Sequence, residues 1–262
     1  MGESVSASTV SEISKVLDKA VHQWHQRALQ DHYQYLLLDG VSVRIRLAGR
    51  VRRRVALCAY WVTLEGKREL IDFLLVKAEG EDTWHNFLSD LWRRGLKGGA
   101  LKLAATDGHP GLIKALARLW PRLAHQRCWA HKLRNLENKL KASQRCCLDE
   151  AKLIYQAENG KAALKCFHKW ERRWSKEAPK AVACLAEDLE ELLAFFDCPK
   201  EHWKRIRTTN VIERLFVEVR RRIRKMWAFT TRTSCERILY SVFKRMNDQW
   251  THHPLKAFTQ NN

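Results

Sequence analysis

The spacing of apolar and polar positions changes character three times along this chain. Residues 4–30 place Val10, Ile13, Val16, Leu17 and Val21 three or four apart behind Ser8-Thr9, which predicts a helix. From Tyr33 the period becomes two. Tyr33–Arg46 opens with a buried-type run through Leu36, Leu37 and Leu38, then alternates Val41, Val43, Ile45 against Ser42, Arg44, Arg46. Arg52–Leu64, with Val55, Leu57, Ala59 and Trp61 on one face, and Glu69–Val76 predict two more strands around a turn at Glu65-Gly66-Lys67. A helix is expected over Glu81–Arg94, with Trp84, Phe87, Leu88, Leu91 and Trp92 as its apolar stripe and Gly95 at its end. Then come a short strand Ala100–Ala105, a helix Pro110–Trp120 and a last strand Arg122–Cys128. From Trp129 to about Trp203 the period is helical throughout, and two further helices are expected over Thr209–Lys225 and Cys235–Trp250.

An antiparallel meander followed by helix, strand, helix, strand is the order of an α/β ribonuclease H-like core. Within it, Asp39 interrupts the apolar run of the first strand and Asp107 follows the fourth. A carboxylate in such a run is costly to bury unless a cation meets it. Adjacent strands would bring the two together, where they repel; a divalent cation relieves the repulsion, and oxygen ligands select Mg2+ or Mn2+. The competing reading is a pair of unrelated turn residues, since Asp107-Gly108 is a common turn dipeptide. A third acid has two candidates among arginines, Glu213 and Glu218, which could equally form intrahelical salt bridges. Glu187, Asp188, Glu190 and Glu191 read as a solvated charged face.

Composition narrows the class. With 262 residues, 45% of them hydrophobic, the chain can bury a core as one large or two small domains. No apolar run reaches the roughly 18–20 residues of a membrane span, and Met1–Ala20 lacks the apolar segment of a secretory signal. Eight cysteines without scaffold spacing fit a reduced cytosolic setting. The balance of 48 Lys and Arg against 29 Asp and Glu, +19 net, points to a polyanionic partner.

Four stretches in order carry a resemblance to the Mutator-type transposases of bacterial insertion sequences, over about residues 4–250. They are Leu36-Leu-Leu-Asp39-Gly-Val-Ser-Val-Arg-Ile-Arg46, Thr106-Asp107-Gly-His-Pro-Gly-Leu112, His125-Gln-Arg-Cys128-Trp-Ala-His131-Lys-Leu-Arg-Asn135, and Ile206-Arg-Thr-Thr-Asn-Val-Ile-Glu213-Arg-Leu215 with Glu218-Val-Arg-Arg-Arg222. The resemblance implies an Asp-Asp-Glu transposase with catalytic and metal-binding Asp39, Asp107 and Glu213. Glu218 matches a second acid of the same motif, ranked below Glu213, and Cys128 with His131 matches a Cys-x-x-His signature. It implies a ribonuclease H-like core over residues 31–128, an all-helical insertion over 129–203 before the last catalytic helix, and C-terminal helices over 204–262. Residues 1–30 are expected as a remnant of a helix-turn-helix region, making the chain N-terminally shortened.

The implied reaction is hydrolysis and transesterification of DNA with two divalent ions, Mg2+ or Mn2+. Its partners are double-stranded DNA, as element terminal repeats and target, and a second copy of the chain in a homodimer; its place is the cytoplasm, at the nucleoid. Two basic clusters flank the acids: Arg44, Arg46, Arg50, Arg52, Arg53 and Arg54 near Asp39, and Lys204, Arg205, Arg207, Arg214, Arg220, Arg221, Arg222, Arg224 and Lys225 around Glu213. They read as phosphate contacts, against a basic face that binds nothing in particular. Trp203 reads as a core residue or as a base-stacking one. Cys128 and His131 read as packing beside the site rather than as half of a zinc centre, because Cys146-Cys147 are badly spaced to complete one. The alternative function is a truncated, non-catalytic DNA-binding derivative that regulates transposition. A nuclease of RNA–DNA hybrids shares the metal chemistry but not the four stretches.

Overall fold

Strand β1 (Tyr35–Leu47) is the axis of the structure, a computed structural model that describes residues 6–63, 65–223 and 227–256. It pairs antiparallel with β2 (Arg50–Val62), which pairs antiparallel with β3 (Arg68–Val76). On its other side β1 runs parallel to β4 (Leu103–Thr106), and β4 parallel to β5 (Ala124–Arg127). The sheet order is β3-β2-β1-β4-β5, with α2 (Glu81–Arg93) between β3 and β4 and α3 (Pro110–Leu119) between β4 and β5. This is the ribonuclease H-like arrangement that the element order predicts.

Helices cover both faces, so β1 is apolar at consecutive positions. Leu36, Leu38, Leu57, Ala59, Trp61 and Ala104 face Trp84, Phe87, Leu88 and Leu91 of α2 and Leu112 and Ala115 of α3. Trp92, expected in that stripe, is 39% exposed, and the Lys97 ammonium sits 3.2 Å from its ring centroid. Tyr35, Leu37, Cys58, Tyr60, Phe73, Leu103 and Ala105 form the opposite core with the remaining helices. These are α4 (Trp129–Glu137), α5 (Arg145–Tyr155), α6 (Gly160–Trp174), α7 (Pro179–Glu187), α8 (Leu189–Leu193), α9 (Trp203–Ile206), α10 (Asn210–Ile223) and α11 (Arg232–Thr251).

Specific hydrogen bonds seat the helical block on the sheet edge. The buried Gln126 amide of β5 donates to the Leu192 carbonyl and accepts from the Phe195 N–H, and the Trp129 indole donates to the same carbonyl. Asp188 is buried here, paired with the buried Lys132 ammonium and 3.2 Å from Arg127, while Glu191 lies 3.3 Å from His125. The acidic run around residue 188 is therefore not uniformly a solvated face.

The N-terminal helix α1 (Ala7–Gln26) is capped by Ser6, whose hydroxyl accepts from the Thr9 N–H. It docks through Val21, Trp24 and the Arg237–Asp18 ion pair, leaving Val10, Ile13 and Val16 exposed. Arg224, Lys225 and the first residues of the N-terminal segment lie outside the described residues.

Candidate active site

Parallel pairing places the two aspartates side by side. Leu37 is registered with Ala105, the last paired row between β1 and β4, and Asp39 and Asp107 each follow two residues later. Asp107 sits where β4 gives way to α3, its Oδ1 accepting from the His109 N–H. Gly108 takes φ +89° there, and a Cβ on it would strike the Arg127 guanidinium. Asp39 is 4% exposed. Burial raises its carboxyl to about 7; Asp107 and Glu213 push the same way, while His131 and the Thr209 hydrogen bond oppose.

The first turn of α10 closes the site from the other side. The fully buried Thr209 hydroxyl donates to Asp39 Oδ2 at 3.0 Å, and its N–H donates to Cys128 Sγ at 3.2 Å. The Cys128 N–H in turn donates to the Thr106 carbonyl, and the Trp129 N–H to the Arg207 carbonyl. Cys128 thus pins together the end of β4, the start of α4 and the approach to α10.

One turn further along α4, His131 Nε2 lies 3.5 Å from Glu213 Oε1, and Arg134 grips both Glu213 oxygens at 2.6 and 2.8 Å. The Arg134 hydrogen bonds hold the Glu213 carboxyl below its ordinary range, with His131 and Arg220 helping. Interaction with the Cys128 sulfur raises His131 to about 9 against the pull of burial, and Asp39 and Asp107 add to the rise. Burial alone would push the Cys128 thiol up; its contacts with His131 and Thr209 outweigh that and bring it down. Asp39, His131, Arg134, Glu213 and Arg220 line one cleft of about 500 Å³.

Three groups at the site carried no role in the sequence reading. Arg134 and Thr209 stood inside the quoted motifs. Glu79, beyond β3, had no local signal: its carboxylate meets Gly40 so closely that a Cβ there would collide, and it accepts from the Trp84 indole at 3.3 Å. Burial raises the Glu79 carboxyl, and the Asp107 charge adds to it.

The other candidates divide between two surfaces. Arg44, Arg46, Arg52, Arg53 and Arg54 lie on the β1–β2 hairpin, Arg44 registered opposite Arg53. Lys204, Arg205 and Arg207 line a second cavity together with Glu218, which does not line the adjoining Asp39 cleft; Glu218 is 3.2 Å from Arg221. Arg207 is half-buried, bonded to the Tyr155 carbonyl and stacked on the Tyr155 ring. Arg220, Arg221 and Arg222 are exposed near the end of α10. Trp203 donates to the Cys198 carbonyl and packs edge-on against Phe195 and Phe196, the arrangement of a core residue. Cys147 is buried in α5 and Cys146 is exposed.

The donor set suits a hard divalent cation in chemistry. A buried carboxylate held near neutrality by burial and by two further acids gains most when a cation arrives. The set is not pre-assembled: among the described residues no three His, Cys, Asp or Glu side chains are grouped for a metal, and Arg134 occupies both Glu213 oxygens.

Comparison with known proteins places this geometry in context. A family model described as "Transposase, Mutator family" matches residues 1–253. The chain is 32% identical over 250 residues to the transposase for insertion sequence element ISRM5 of Rhizobium meliloti, covering 95% of this chain and 62% of that one. It is 31% identical over 260 residues to the transposase for element IS905 of Lactococcus lactis, covering 99% and 66%. It is 39% identical over 190 residues to the transposase for element IST2 of Acidithiobacillus ferrooxidans, covering 72% and 64%. The chain therefore spans 62–66% of the length of these relatives. Among solved structures, the catalytic domain of Mos1 mariner transposase matches at 14% identity and a TM-score of 0.28, over 70% of this chain and 96% of that one, a likeness too low to carry an argument.

Proposed function

The chain belongs to the Mutator family of transposases, and on that footing we propose that it cuts and joins DNA strands of an insertion sequence at the cleft of Asp39 and Glu213, with Asp107 beside Asp39 past the end of the neighbouring strand. The observation that carries this reading is geometric: the buried Asp39 carboxylate shares one cleft with Glu213 and lies in register beside Asp107, and burial, with both of those acids adding to it, raises Asp39 to about 7. The substrate is double-stranded DNA, as element ends and target, engaged at the nucleoid by two copies of the chain.

Asp39, Asp107 and Glu213 are the residues that would hold Mg2+ or Mn2+. Divalent ions held there would supply Lewis-acid activation of the attacking water or DNA 3′-hydroxyl and charge stabilisation for the leaving 3′-oxygen. The protein's own part is positional. Thr209 fixes Asp39 through Oδ2. His131, raised to about 9, stays cationic at neutral pH beside Glu213. Arg134 holds both Glu213 oxygens and fixes the carboxylate's orientation at the cleft; its guanidinium has the fork geometry that would also suit a phosphate there. No nucleophilic side chain is required.

The test is direct. Purified chain with Mg2+ or Mn2+ nicks supercoiled plasmid carrying the element ends, and excess chelator abolishes nicking while binding in a gel shift persists. Nicking that survives the chelator would overturn the assignment.

The hairpin arginines, with Lys204, Arg205, Arg207 and the Arg220–Arg222 cluster, act as phosphate contacts in this reading. With about six phosphates neutralised, affinity for a 30-base-pair duplex falls roughly a thousandfold between 50 and 200 mM salt. A salt-independent affinity would exclude these contacts.

A further inference from the structure

Of the described tryptophans only Trp92 and Trp227 are exposed, and Trp227, at 63%, is the more open. Its backbone takes φ +56°, a left-handed conformation that a bulky residue adopts at an energetic cost and that here needs outside support. The support lies two residues on. β4 pairs with β1 only at Tyr35–Leu37, leaving that edge of β1 open further along. Phe229, fully buried, bridges to it: its N–H donates to the Arg44 carbonyl and its carbonyl accepts from the Arg46 N–H, both at 2.8 Å. The chain is clamped to β1 and the indole is held outward.

The indole borders a groove of about 480 Å³ lined by Ser42, Val43, Arg44, Arg53, Arg220 and Phe216, among others. The Arg44 guanidinium lies 5.0 Å from the indole centroid. Among the described residues, no carboxylate lines the groove. Ser42, Phe216 and Arg220 also line the cleft of Asp39 and Glu213, so the two cavities adjoin.

An open aromatic face among three guanidiniums matches a nucleobase with its phosphates. In a duplex the base faces are already stacked on one another. A base offers its face to an indole only when it is unpaired. We propose that Trp227 stacks an unpaired nucleobase of the DNA strand being cut, with Arg44, Arg53 and Arg220 on the adjoining phosphates. The inference rests on the proposed DNA chemistry of the neighbouring cleft. It gives Trp227 the stacking role that composition and position had offered to Trp203.

The experiment is binding without divalent metal, by fluorescence anisotropy, to a 12-nucleotide single strand and to the blunt duplex of the same sequence. A second single strand carries 2-aminopurine near its 3′ end. Wild type quenches the 2-aminopurine. Trp227→Ala loses the quenching and about tenfold of single-strand affinity, with duplex affinity within twofold of wild type, while Trp227→Phe keeps most of both. Trp227→Leu retains bulk without a π face and behaves as the alanine variant. Single-strand binding by Trp227→Leu equal to wild type overturns the proposal. So does an equal loss on single strand and duplex, which would make Trp227 a support for Arg44 alone. The neighbouring chemistry is read separately, as nicking with Mg2+. If wild type fails to nick but the Trp227 variants still lose the single strand, the transposase reading fails and the stacking site stands; the converse pattern removes only the stacking site.

Discussion

Asp39→Asn is expected to abolish metal-dependent nicking, by roughly a thousandfold or more, while leaving duplex binding intact and making the metal-free protein more stable. Loss of activity follows from the proposed role of Asp39 as a charged metal ligand beside Asp107 and Glu213. The gain in stability follows from burial. The Asp39 carboxyl rises from 3.8 to about 7 in the folded protein, chiefly through burial. The folded state therefore holds this proton more tightly than the unfolded state. Its contribution to stability is fully present below about pH 4 and is lost as pH rises through 7. Above that pH the wild type carries an ionised, buried carboxylate beside two other acids. The ceiling on the penalty is about 4 kcal/mol at 1.4 kcal/mol per pH unit. Asparagine is never charged and can still accept from the Thr209 hydroxyl. In thermal melts with chelator, Asp39→Asn should melt above wild type at pH 8 and level with it at pH 4. Added Mn2+ should raise the melting temperature of wild type and not of the variant. A variant that melts below wild type at pH 8 would mean that His131 already neutralises Asp39 and that no cation is wanted there.

Much of this frame is legible in the order of residues because it is written locally. A strand buried on both faces must be apolar at consecutive positions, so Leu36–Leu38 announces β1 and makes Asp39 conspicuous within it. Asp107 is legible for a similar reason, as the residue after a short buried strand. What is set by tertiary approach is not legible. Glu79 reaches the site because Gly40 leaves room for its carboxylate, and nothing near residue 79 signals that. Arg134 stands among many arginines, and only the α4–α10 approach selects it to hold Glu213. Among aromatic residues, Trp203 reads in the sequence as core or base-stacking, and the structure packs it edge-on against Phe195 and Phe196; Trp227 has no sequence signal, and its exposure beside the Phe229 clamp is set by tertiary structure. The acidic run at 187–191 reads as a solvated face because three of its four acids are at least partly open. The fourth, Asp188, is one of the few buried charges among the described residues.

Asp188→Ala is accordingly expected to destabilise the protein by about 3–5 kcal/mol, far more than any surface acid. Lys132, 2% exposed, has its ammonium paired with Asp188, and Arg127 at 3.2 Å shares the same carboxylate. Removing the carboxylate leaves an ammonium with no route to water, and stranding one partner of a buried pair is the costly change. Glu190→Ala, two residues away on an exposed position, should stay within about 0.5 kcal/mol. The pair itself is a different quantity. Lys132→Met with Asp188→Leu removes both desolvation penalties, and the double variant should recover more than half of the single-variant loss in urea denaturation. The location makes the measurement informative about the site as well. Lys132 sits between His131 and Leu133 on α4, and Asp188 joins α7 to α8, so this ion pair fixes the helix that carries His131 and Arg134 toward Glu213. The double variant should therefore nick DNA at close to the wild-type rate if packing alone sets the pose of α4. A loss within 1 kcal/mol for Asp188→Ala would show instead that water reaches the Lys132 ammonium, and that α4 is held without the ion pair, by the Trp129 hydrogen bonds to the Leu192 and Arg207 carbonyls and by its packing.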